Sequence, residues 1–543
     1  MATTPFSIST NTRSEHEGLL HGGSGANQYF LAFDGAAVQK GQQGLSRSRT
    51  SRPLLDVRAD AELLERFRAF TYWLTFVAYA TSHLTRKCYT NMKVQIMGRL
   101  GVKASFLSYL DMVFMLAYAA GSVCSGMLAD RYHKPTLLAC GLVGSGLALV
   151  LVVLGLSASG AGGASPGFDH VYFTVLFIIS GLFQSVGNPV STAIMGNWFS
   201  SKRRGYIFGT WSCHQFVGNI AAAVVVALVL RSRSLGWVWG LLLPALLSVV
   251  MGIFCAFAAK EKPSDVGLSD WRGSTTTSPS PHEVEDGHLS NFQRALKENI
   301  TNEHIFAAIN VRSNEQRSSI TFCEAVQIPR VASYMVAFGL FKFVNYCVFF
   351  WLPYYLNQSY SPSESSLVSA SYDVGMLPGG ILCGLLSDLC RGRRAVVVVG
   401  FAMALCPLLM ALSTATVERL HVQYLLVLLA CTGLLVGGPN SIITTAVAAD
   451  IAESPLIRGN TNALGTVTGF INGVGSLIAS VMLCGVGAFA EAYGWQSMWL
   501  LLVVCTLGGA ALLLSQASRE LSYSSRPELS ADGPRRRGYD VVS

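Results

Sequence analysis

Gly126-Met-Leu-Ala-Asp130-Arg131 and Gly384-Leu-Leu-Ser-Asp388-Leu-Cys-Arg391 are the two stretches that decide the fold. Each follows an apolar run and places an aspartate four residues after a glycine, with basic residues close behind. The glycine lets neighbouring helices approach closely, and the aspartate suits a helix end that meets water. One copy would carry little information, but two copies about half a chain apart indicate an internal duplication.

Apolar runs dominate the chain around these stretches. Of its 543 residues, 51% are hydrophobic and only 13% are charged, whereas an average soluble domain carries about 25% charged residues. This composition excludes an ordinary soluble enzyme, a nucleic-acid-binding protein and a disordered scaffold, and it indicates a multi-pass membrane protein in a lipid bilayer. Because a spanning helix needs about 20 apolar residues, we predict twelve spans. They lie near 69–92, 105–128, 135–156, 171–196, 205–230, 236–259, 331–356, 365–390, 394–414, 422–448, 461–484 and 495–515.

A polar stretch divides these spans into two sets of six. We therefore predict an all-α membrane protein with twelve transmembrane helices in two six-helix bundles, at 68–259 and 330–515, joined by a cytosolic linker at 260–329. The tails at 1–67 and 516–543 are expected to be cytosolic. The first tail lacks a continuous apolar core, so it is not a signal peptide, and its polar composition predicts disorder.

Basic residues in the short loops predict the orientation in the membrane. Loops that follow even-numbered spans hold nine of them, and the opposite loops hold six. Because cytosolic loops are enriched in lysine and arginine, both termini are expected in the cytosol. The six in the opposite loops are Lys93, Arg99, Lys103, Arg231, Arg233 and Arg419.

Cationic residues interrupt the first span of each half. A charge at the centre of a membrane-spanning segment costs about 3 kcal/mol, so it needs a reason. Arg86 and Lys87 end the apolar run of span 1, where they lie inside the protein if the helix continues, or else snorkel to the interface. Lys342 lies well inside span 7 and predicts a cation that faces a cavity. One cation from each half, facing one cavity, would bind a doubly charged anion such as a phosphate monoester.

Two other polar residues in the spans leave their roles open. Asp111, early in span 2, is a partner for a basic residue, a proton carrier or a helix-start acid. His214 in span 5 has polar neighbours, and it either bonds to a phosphate or is structural. The 13 cysteines show no Cys-x-x-Cys or Cys/His spacing, so no metal and no cofactor are predicted.

Proline and glycine interrupt corresponding spans in the two halves. Span 4 contains Gly187-Asn188-Pro189, and span 10 contains Gly437-Gly438-Pro439-Asn440. We predict that both helices break or kink at these places, where transporters of this layout flex or pack closely.

The duplicated loop resembles the loop motif of the major facilitator superfamily, in which this loop is cytosolic. Further segments resemble the organophosphate:phosphate antiporters of that superfamily, especially the eukaryotic sugar-phosphate exchangers related to glucose-6-phosphate translocators. These segments include Tyr79 to Lys87, Gly196-Asn197-Trp198-Phe199, Trp211 to Asn219, and Gly459 to Thr468. The similarity covers about residues 68–515.

This resemblance implies exchange of a phosphorylated sugar or glycerol 3-phosphate for inorganic phosphate by alternating access. It implies that Arg86 contacts the phosphate, that Lys342 helps to clamp it, and that Lys87 and His214 support it. Asn345 stands about where bacterial members have a second arginine. Conformational gating is implied for the duplicated loops, whose residues are Gly126, Asp130, Arg131, Gly384, Asp388 and Arg391.

Rival functions and locations are also open at this stage. A proton-coupled symporter of a neutral sugar or other small organic solute would need a titrating carboxylate, and Asp111 is the only plausible candidate in the sequence. An enzyme is not expected, because no nucleophile–base or metal constellation is present. The resemblance favours the endoplasmic reticulum membrane. Glu15, followed by Leu19 and Leu20, resembles an acidic dileucine sorting signal and would favour an endolysosomal or plasma-membrane location.

Overall fold

The computed structural model is helical throughout the regions that it describes, and it contains no β-strand there. The chain divides into two units, Met1–Ala61 and Glu62–Ser543. The first unit contributes only the beginning of the first helix to the described residues, and the second holds the membrane helices. The described residues are 54–159, 166–199, 204–268, 330–414, 421–447 and 463–522.

The described part of the first half forms nine helices. Spans 1, 4 and 5 each consist of two consecutive helices, and a short 3₁₀ turn at Pro263–Val266 follows span 6. The helices are α1 (Leu54–Asn91), α2 (Lys93–Leu100), α3 (Ala104–Arg131), α4 (Lys134–Ser159), α5 (Pro166–Ser185), α6 (Gly187–Trp198), α7 (Arg204–Trp211), α8 (His214–Arg231) and α9 (Trp239–Ala258).

Six helices, one for each predicted span, make up the described part of the second half. The last of them bends at Gly494, which adopts a left-handed conformation with φ 79°. The helices are α10 (Val331–Leu356), α11 (Pro362–Leu389), α12 (Arg394–Thr414), α13 (Val422–Ile442), α14 (Ala463–Cys484) and α15 (Val486–Ser522).

The lengths and hydropathy of these helices confirm the predicted membrane fold. Within the described ranges, nine segments are long and apolar enough to cross a membrane. The other three spans are α1, α11 and α14, and α14 contains the shorter apolar helix Phe470–Cys484. The nine segments are Ala104–Ser122, Lys134–Ser159, Asp169–Trp198, Ile207–Arg231, Trp239–Ala258, Val331–Leu356, Arg394–Thr414, Val422–Ile442 and Val486–Ser522.

Helix packing repeats between the halves, as the duplicated sequence predicts. In the first half α3 packs against α5 and α4 against α9, and in the second half the corresponding pairs are α11 with α13 and α12 with α15. The halves meet through α3 with α14 and α8 with α11. These two contacts are also equivalent. One joins the second span of the first half to the fifth span of the second half, and the other joins the fifth span of the first half to the second span of the second half.

Glycine permits the close approach of α11 and α13. A Cβ atom at Gly375 would overlap the carbonyl oxygen of Ala430, and one at Gly433 would overlap that of Tyr372. Small residues at membrane-helix interfaces allow such backbone contact.

The predicted break is present in span 4, whereas span 10 stays helical through Gly437–Asn440 and becomes irregular just after it. α5 ends at Ser185 and α6 begins at Gly187, two residues before Pro189. In span 10, Pro439 lies inside α13, and a π-helical turn at Ile443–Val447 follows directly. Proline has no N–H to donate, so the regular helical hydrogen bonding changes nearby.

The first and last helices extend beyond the predicted spans into both tails. α1 begins at Leu54, and ion pairs between Arg66 and Glu62 (2.7 Å) and between Arg68 and Glu65 (2.6 Å) lie along its polar part. Ion pairs at this spacing stabilise a helix. The segment is polar, so the apolar pattern of the sequence did not predict this part of the helix. α15 continues to Ser522. Glu15, Leu19, Leu20 and residues 269–329 lie outside the described residues.

The duplicated motifs lie in the last turns of α3 and α11, and the short loops follow directly. In the second loop Arg391 (φ 61°) and Gly392 (φ 76°) form a left-handed turn, and the Arg391 N–H donates to the Asp388 carbonyl at 3.0 Å. The side chains of Arg131, Asp388 and Arg391 are exposed, and Gly384 is half-buried. The side-chain positions of Gly126 and Asp130 lie outside the described part of the structure. The gating roles of these six residues stay predictions.

Candidate functional site

Arg86 lies inside the protein, because α1 continues past it to Asn91 and α2 extends the same span to Leu100. Its side chain is only 9% exposed. The Nε atom donates to Oε1 of Gln184 on α5 at 3.1 Å. The guanidinium carbon lies 4.7 Å from the ring centre of Tyr118 and 5.1 Å from that of Phe114. Of the two positions that the sequence left open, the structure therefore shows the interior one.

Lys342 of α10 is buried in the corresponding span of the second half. It is 8% exposed, and its ammonium group donates to Asn472 Oδ1 at 2.7 Å and to Ser476 Oγ at 2.6 Å. Both partners belong to α14. The ammonium nitrogen also lies 5.1 Å from the ring centre of Phe338 and 5.5 Å from that of Tyr346.

Arg86 and Lys342 share one electrostatic environment. The charge of Arg86 acts on Lys342 and on Tyr346, which lies beside Lys342. The hydroxyl groups of Tyr79 and Tyr118 are 3.2 Å apart on the Arg86 side. Within the described ranges, neither Arg86 nor Lys342 forms an ion pair with a carboxylate. The site therefore contains two buried cationic side chains, one from each half, whose hydrogen-bond partners among the described residues are neutral.

Two other buried lysines of the same span each have an acidic partner. Lys87 Nζ lies 3.4 Å from Asp373 Oδ2 on α11 and donates to the carbonyl of Phe349 at 3.1 Å. Lys93 Nζ lies 2.5 Å from Asp111 Oδ2 on α3. All four charged side chains are fully buried. Lys93 was expected in a loop, and that expectation is wrong, because α2 continues span 1 beyond Asn91 and begins at Lys93.

The acidic residues differ from what the sequence suggested. Asp111 is the partner of a basic residue, which was one of its three open roles. It is not the only carboxylate within the spans, since Asp373 is also fully buried and accepts a hydrogen bond from Asn219 Nδ2 at 2.7 Å. A lone aspartate within the apolar run of span 8 was the signal for it, because intramembrane charges mark functional or paired positions.

His214 lies among aromatic rings, and Asn345 forms a hydrogen bond to a tyrosine. The break between α7 and α8 places His214 at the first position of α8, with its ring 4.3 Å from that of Tyr79 and 4.4 Å from that of Trp211. Its Nδ1 atom has no hydrogen-bond partner among the described residues. Asn345 Oδ1 accepts from the Tyr372 hydroxyl at 3.0 Å. The substrate-binding roles of His214, Asn345 and Lys87 stay predictions.

A small cavity lies beside Arg86. Arg86 and Gln184 line part of it, and Tyr89 and Asp111 line another part. In the regions that the structure describes, no group of three His, Cys, Asp or Glu side chains is placed to hold a metal ion. Around Arg86 the lining also offers the Gln184 amide and aromatic rings, and the carboxylate of Asp111 lies in another part of it. An arginine held among neutral and aromatic groups suits the recognition of an anion.

The model of the Major Facilitator Superfamily matches residues 75–482 and 334–537 of this chain. The chain belongs to the major facilitator superfamily. This finding confirms the resemblance drawn from the duplicated loop and agrees with the two equivalent halves of the fold.

Curated relatives within the superfamily match most of the chain. Sugar phosphate exchanger 3 of Mus musculus is 31% identical over 473 residues, which cover 80% of this chain and 90% of the relative. A protein of Arabidopsis thaliana that is named as a glycerol-3-phosphate transporter is 31% identical over 482 residues, covering 84% of this chain and 92% of the relative. Both belong to the group of transporters that the sequence resembles.

Solved structures show the same superfamily fold. A bacterial homologue of the human lysosomal transporter Spinster aligns with a TM-score of 0.58 and 14% identity, covering 85% of this chain and 99% of that structure. The nucleoside transporter NupG aligns with a TM-score of 0.55 and 12% identity, covering 82% and 99%. At these identities the likeness concerns the fold alone.

Proposed function

We propose that this chain exchanges a phosphorylated sugar or glycerol 3-phosphate for inorganic phosphate across a membrane by alternating access. The observation that carries the proposal is the pairing of charges inside the protein. Lys87 and Lys93 each have a buried aspartate partner, whereas Arg86 and Lys342 have neutral partners in all the described regions. Buried charges are costly unless they are paired, so two neighbouring unpaired cations call for an anionic ligand.

The chemistry of the two cations suits a phosphate group. Arg86 uses its Nε atom on Gln184, which leaves the two terminal nitrogens of the guanidinium for two phosphate oxygens. Lys342 supplies a compact charge on the other side. A dianion between them would neutralise both halves of the site at once. The names of the relatives, a sugar phosphate exchanger and a glycerol-3-phosphate transporter, support an organophosphate as the second substrate.

Obligatory exchange follows from the same charges. In the empty site Arg86 and Lys342 repel each other in a low dielectric, and movement of the halves that brings them together is unfavourable. A bound phosphate dianion removes this repulsion, so the loaded protein changes conformation faster than the empty one. Net transport then requires a phosphorylated ligand in each direction.

Both termini are placed in the cytosol by this proposal. Because Lys93 is buried in a helix, it no longer counts as a loop residue. The loops that follow even-numbered spans then hold nine basic residues, and the opposite loops hold five, which is six minus one. The endoplasmic reticulum membrane is the proposed location, with an endolysosomal or plasma membrane as the alternative if the Glu15-Leu19-Leu20 segment acts as a sorting signal. Fusion of a reporter to either terminus and selective permeabilisation would test the orientation.

Exchange in proteoliposomes tests the proposed function. The purified protein is reconstituted with inorganic phosphate inside, and uptake of labelled phosphate is measured with and without unlabelled sugar phosphates or glycerol 3-phosphate outside. Wild-type protein should exchange phosphate and Arg86→Ala should not, because the substitution removes the fork that holds the phosphate. Arg66→Ala, which removes a 75% exposed side chain from the same helix, is the matched control and should exchange normally. Retained exchange in Arg86→Ala would contradict the proposal.

A further inference from the structure

The beginnings of α3 and α15, one from each half, meet at the end of the molecule opposite to the duplicated loops. The first turn of a helix has backbone N–H groups that no residue of the same turn can accept, and a short polar side chain before the helix usually caps one of them. Lys103 precedes α3 and forms no such bond through its side chain. Gly485 precedes α15 and has no side chain. Both helices therefore need a capping group from elsewhere.

Each of these two helices receives its capping group from the other half. The N–H of Ala104, the first residue of α3, donates to Glu491 Oε1 on α15 at 2.8 Å. The N–H of Gly487, the second residue of α15, donates to Ser108 Oγ on α3 at 2.6 Å. A carboxylate at a helix N-terminus also interacts favourably with the helix dipole. The two bonds are reciprocal, as in a capping box, but the two side chains that accept them belong to different halves of the protein.

Gly487 allows the two helix ends to come close enough for both bonds. A Cβ atom at this position would overlap the carbonyl oxygen of Ala104 and the hydroxyl group of Ser108. The first of these is a backbone atom, so no side-chain rotation could relieve the overlap. At Gly485, two residues earlier, the nearest atom to a Cβ would be the Met482 carbonyl oxygen at 3.7 Å, an ordinary contact distance. The contact therefore excludes a side chain at Gly487 and tolerates one at Gly485.

Separation of the halves at this end breaks both capping bonds together, because each bond crosses between the halves. The beginning of α11 lies at the same end and is capped differently. Ser361 Oγ accepts from the Glu364 N–H at 3.4 Å, and Glu364 Oε2 accepts from the Ser361 N–H at 3.1 Å. This capping box lies within one half, so it is unchanged when the halves separate. Only the caps of α3 and α15 link helix stability to the position of the halves.

We propose that Ser108 and Glu491 form a latch between the halves, in which the mutual capping of α3 and α15 holds this end of the molecule closed. Alternating access requires this end to open in every cycle. The strength of the two caps therefore sets the population of the protein that is closed here in the absence of a ligand. The latch acts in the same way for any substrate, so it does not rest on the proposed exchange of phosphate.

The reactivity of a buried thiol tests the latch. In a background without the native cysteines, Ala223→Cys places a reporter on α8, at a fully buried position where α8 meets α11 of the other half. The rate at which a maleimide modifies it, measured on the purified protein in detergent without substrate, reports the population that is open at this end. Ser108→Ala and Glu491→Ala should each raise this rate about fivefold, because each variant removes one cap. Glu364→Ala removes a cap that lies within one half, so as the matched control it should leave the rate unchanged.

A glycine substitution tests the close approach of the two helix ends. Gly487→Ala should raise the rate of modification more than either single-cap variant, because its methyl group keeps the two ends apart, and Gly485→Ala is its control. If Gly487→Ala does not fold, Ser108→Ala and Glu491→Ala decide the question alone. A reporter that reacts in both of these variants at the wild-type rate, or that reacts in neither, would overturn the latch.

Discussion

At the scale of single residues, burial and pairing separate four cations of spans 1 and 7 into two kinds. Lys87 and Lys93 are neutralised by aspartates and have a structural explanation. Arg86 and Lys342 hold only neutral partners among the described side chains, so their charges are available to a ligand. Charge alone could not make this distinction, because all four interrupt or follow apolar runs in the sequence.

Replacement of Lys342 should separate charge from geometry. Lys342→Ala removes one of the two cations and should lower phosphate exchange by about 10- to 100-fold, since hydrogen bonds to charged groups contribute about 1.5–3 kcal/mol each. Lys342→Arg keeps the charge and should retain more activity than Lys342→Ala. Initial rates of labelled phosphate uptake measure both. Equal loss in the two variants would mean that the charge is not what matters.

The sequence predicted Arg86 and Lys342 because a charge within an apolar run is rare and requires a reason. It did not predict Gln184, Asn472 or Ser476, which hold the two cations. Single amide and hydroxyl residues are common in membrane helices, and only the packing of α5 and α14 shows which of them face the site.

At the scale of helices, the ion pair between Lys87 and Asp373 joins α1 of one half to α11 of the other. Asn219 of α8 donates to the same carboxylate, so three helices meet at one buried acidic group. Span 1 was predicted to supply substrate ligands with both of its adjacent cations. In this conformation Lys87 joins the halves through Asp373, and its predicted role beside the substrate stays a prediction.

Thermal unfolding in detergent should show the coupling of this pair. Lys87→Met leaves Asp373 as an uncompensated buried charge and should destabilise the protein by about 3–5 kcal/mol, as should Asp373→Met. The double variant Lys87→Met with Asp373→Met removes both charges and should be more stable than either single variant. Additive destabilisation in the double variant would show that the two residues do not interact.

Helix boundaries were predictable where the chain is apolar and not where it is polar. The six-plus-six order, the break at Gly187 and the irregular turn after Pro439 all follow from local sequence. The start of α1 at Leu54 does not, because residues such as Glu62 and Arg66 support a helix through ion pairs without producing an apolar run.

At the scale of the whole molecule, the described hydrogen bonds between the halves lie in the middle of the spans and toward the ends opposite to the duplicated loops. Those of Ala104, Ser108 and Ser366 lie near the beginnings of α3 and α11, and those of Lys87, Asn219 and Asp373 lie deeper in their spans. If the duplicated loops are cytosolic, as proposed, the halves are in contact on the non-cytosolic side in this conformation. The bonds join Lys87 to Phe349, Ala104 to Glu491, Ser108 to Gly487, Asn219 to Asp373 and Ala223 to Ser366.

A covalent link at the closed end should stop transport. The Ser366 hydroxyl donates to the Ala223 carbonyl at 3.0 Å, which brings α11 and α8 into direct contact. In a background without the native cysteines, Ala223→Cys with Ser366→Cys should be linked by a short bifunctional thiol reagent or an oxidant. Phosphate exchange should then fall to background and recover when an oxidised link is reduced. Full exchange with the link in place would show that this contact need not open during transport.

The binding of inorganic phosphate to the purified protein tests the central claim most directly. Calorimetric titration of wild-type protein, Arg86→Ala, Lys342→Ala and the double variant requires no knowledge of the organic substrate. We predict that the wild type binds phosphate and that each single variant loses about 10- to 100-fold in affinity. The double variant should depart from additivity, because both side chains contact one ion. Wild-type affinity in both single variants would contradict the shared phosphate site.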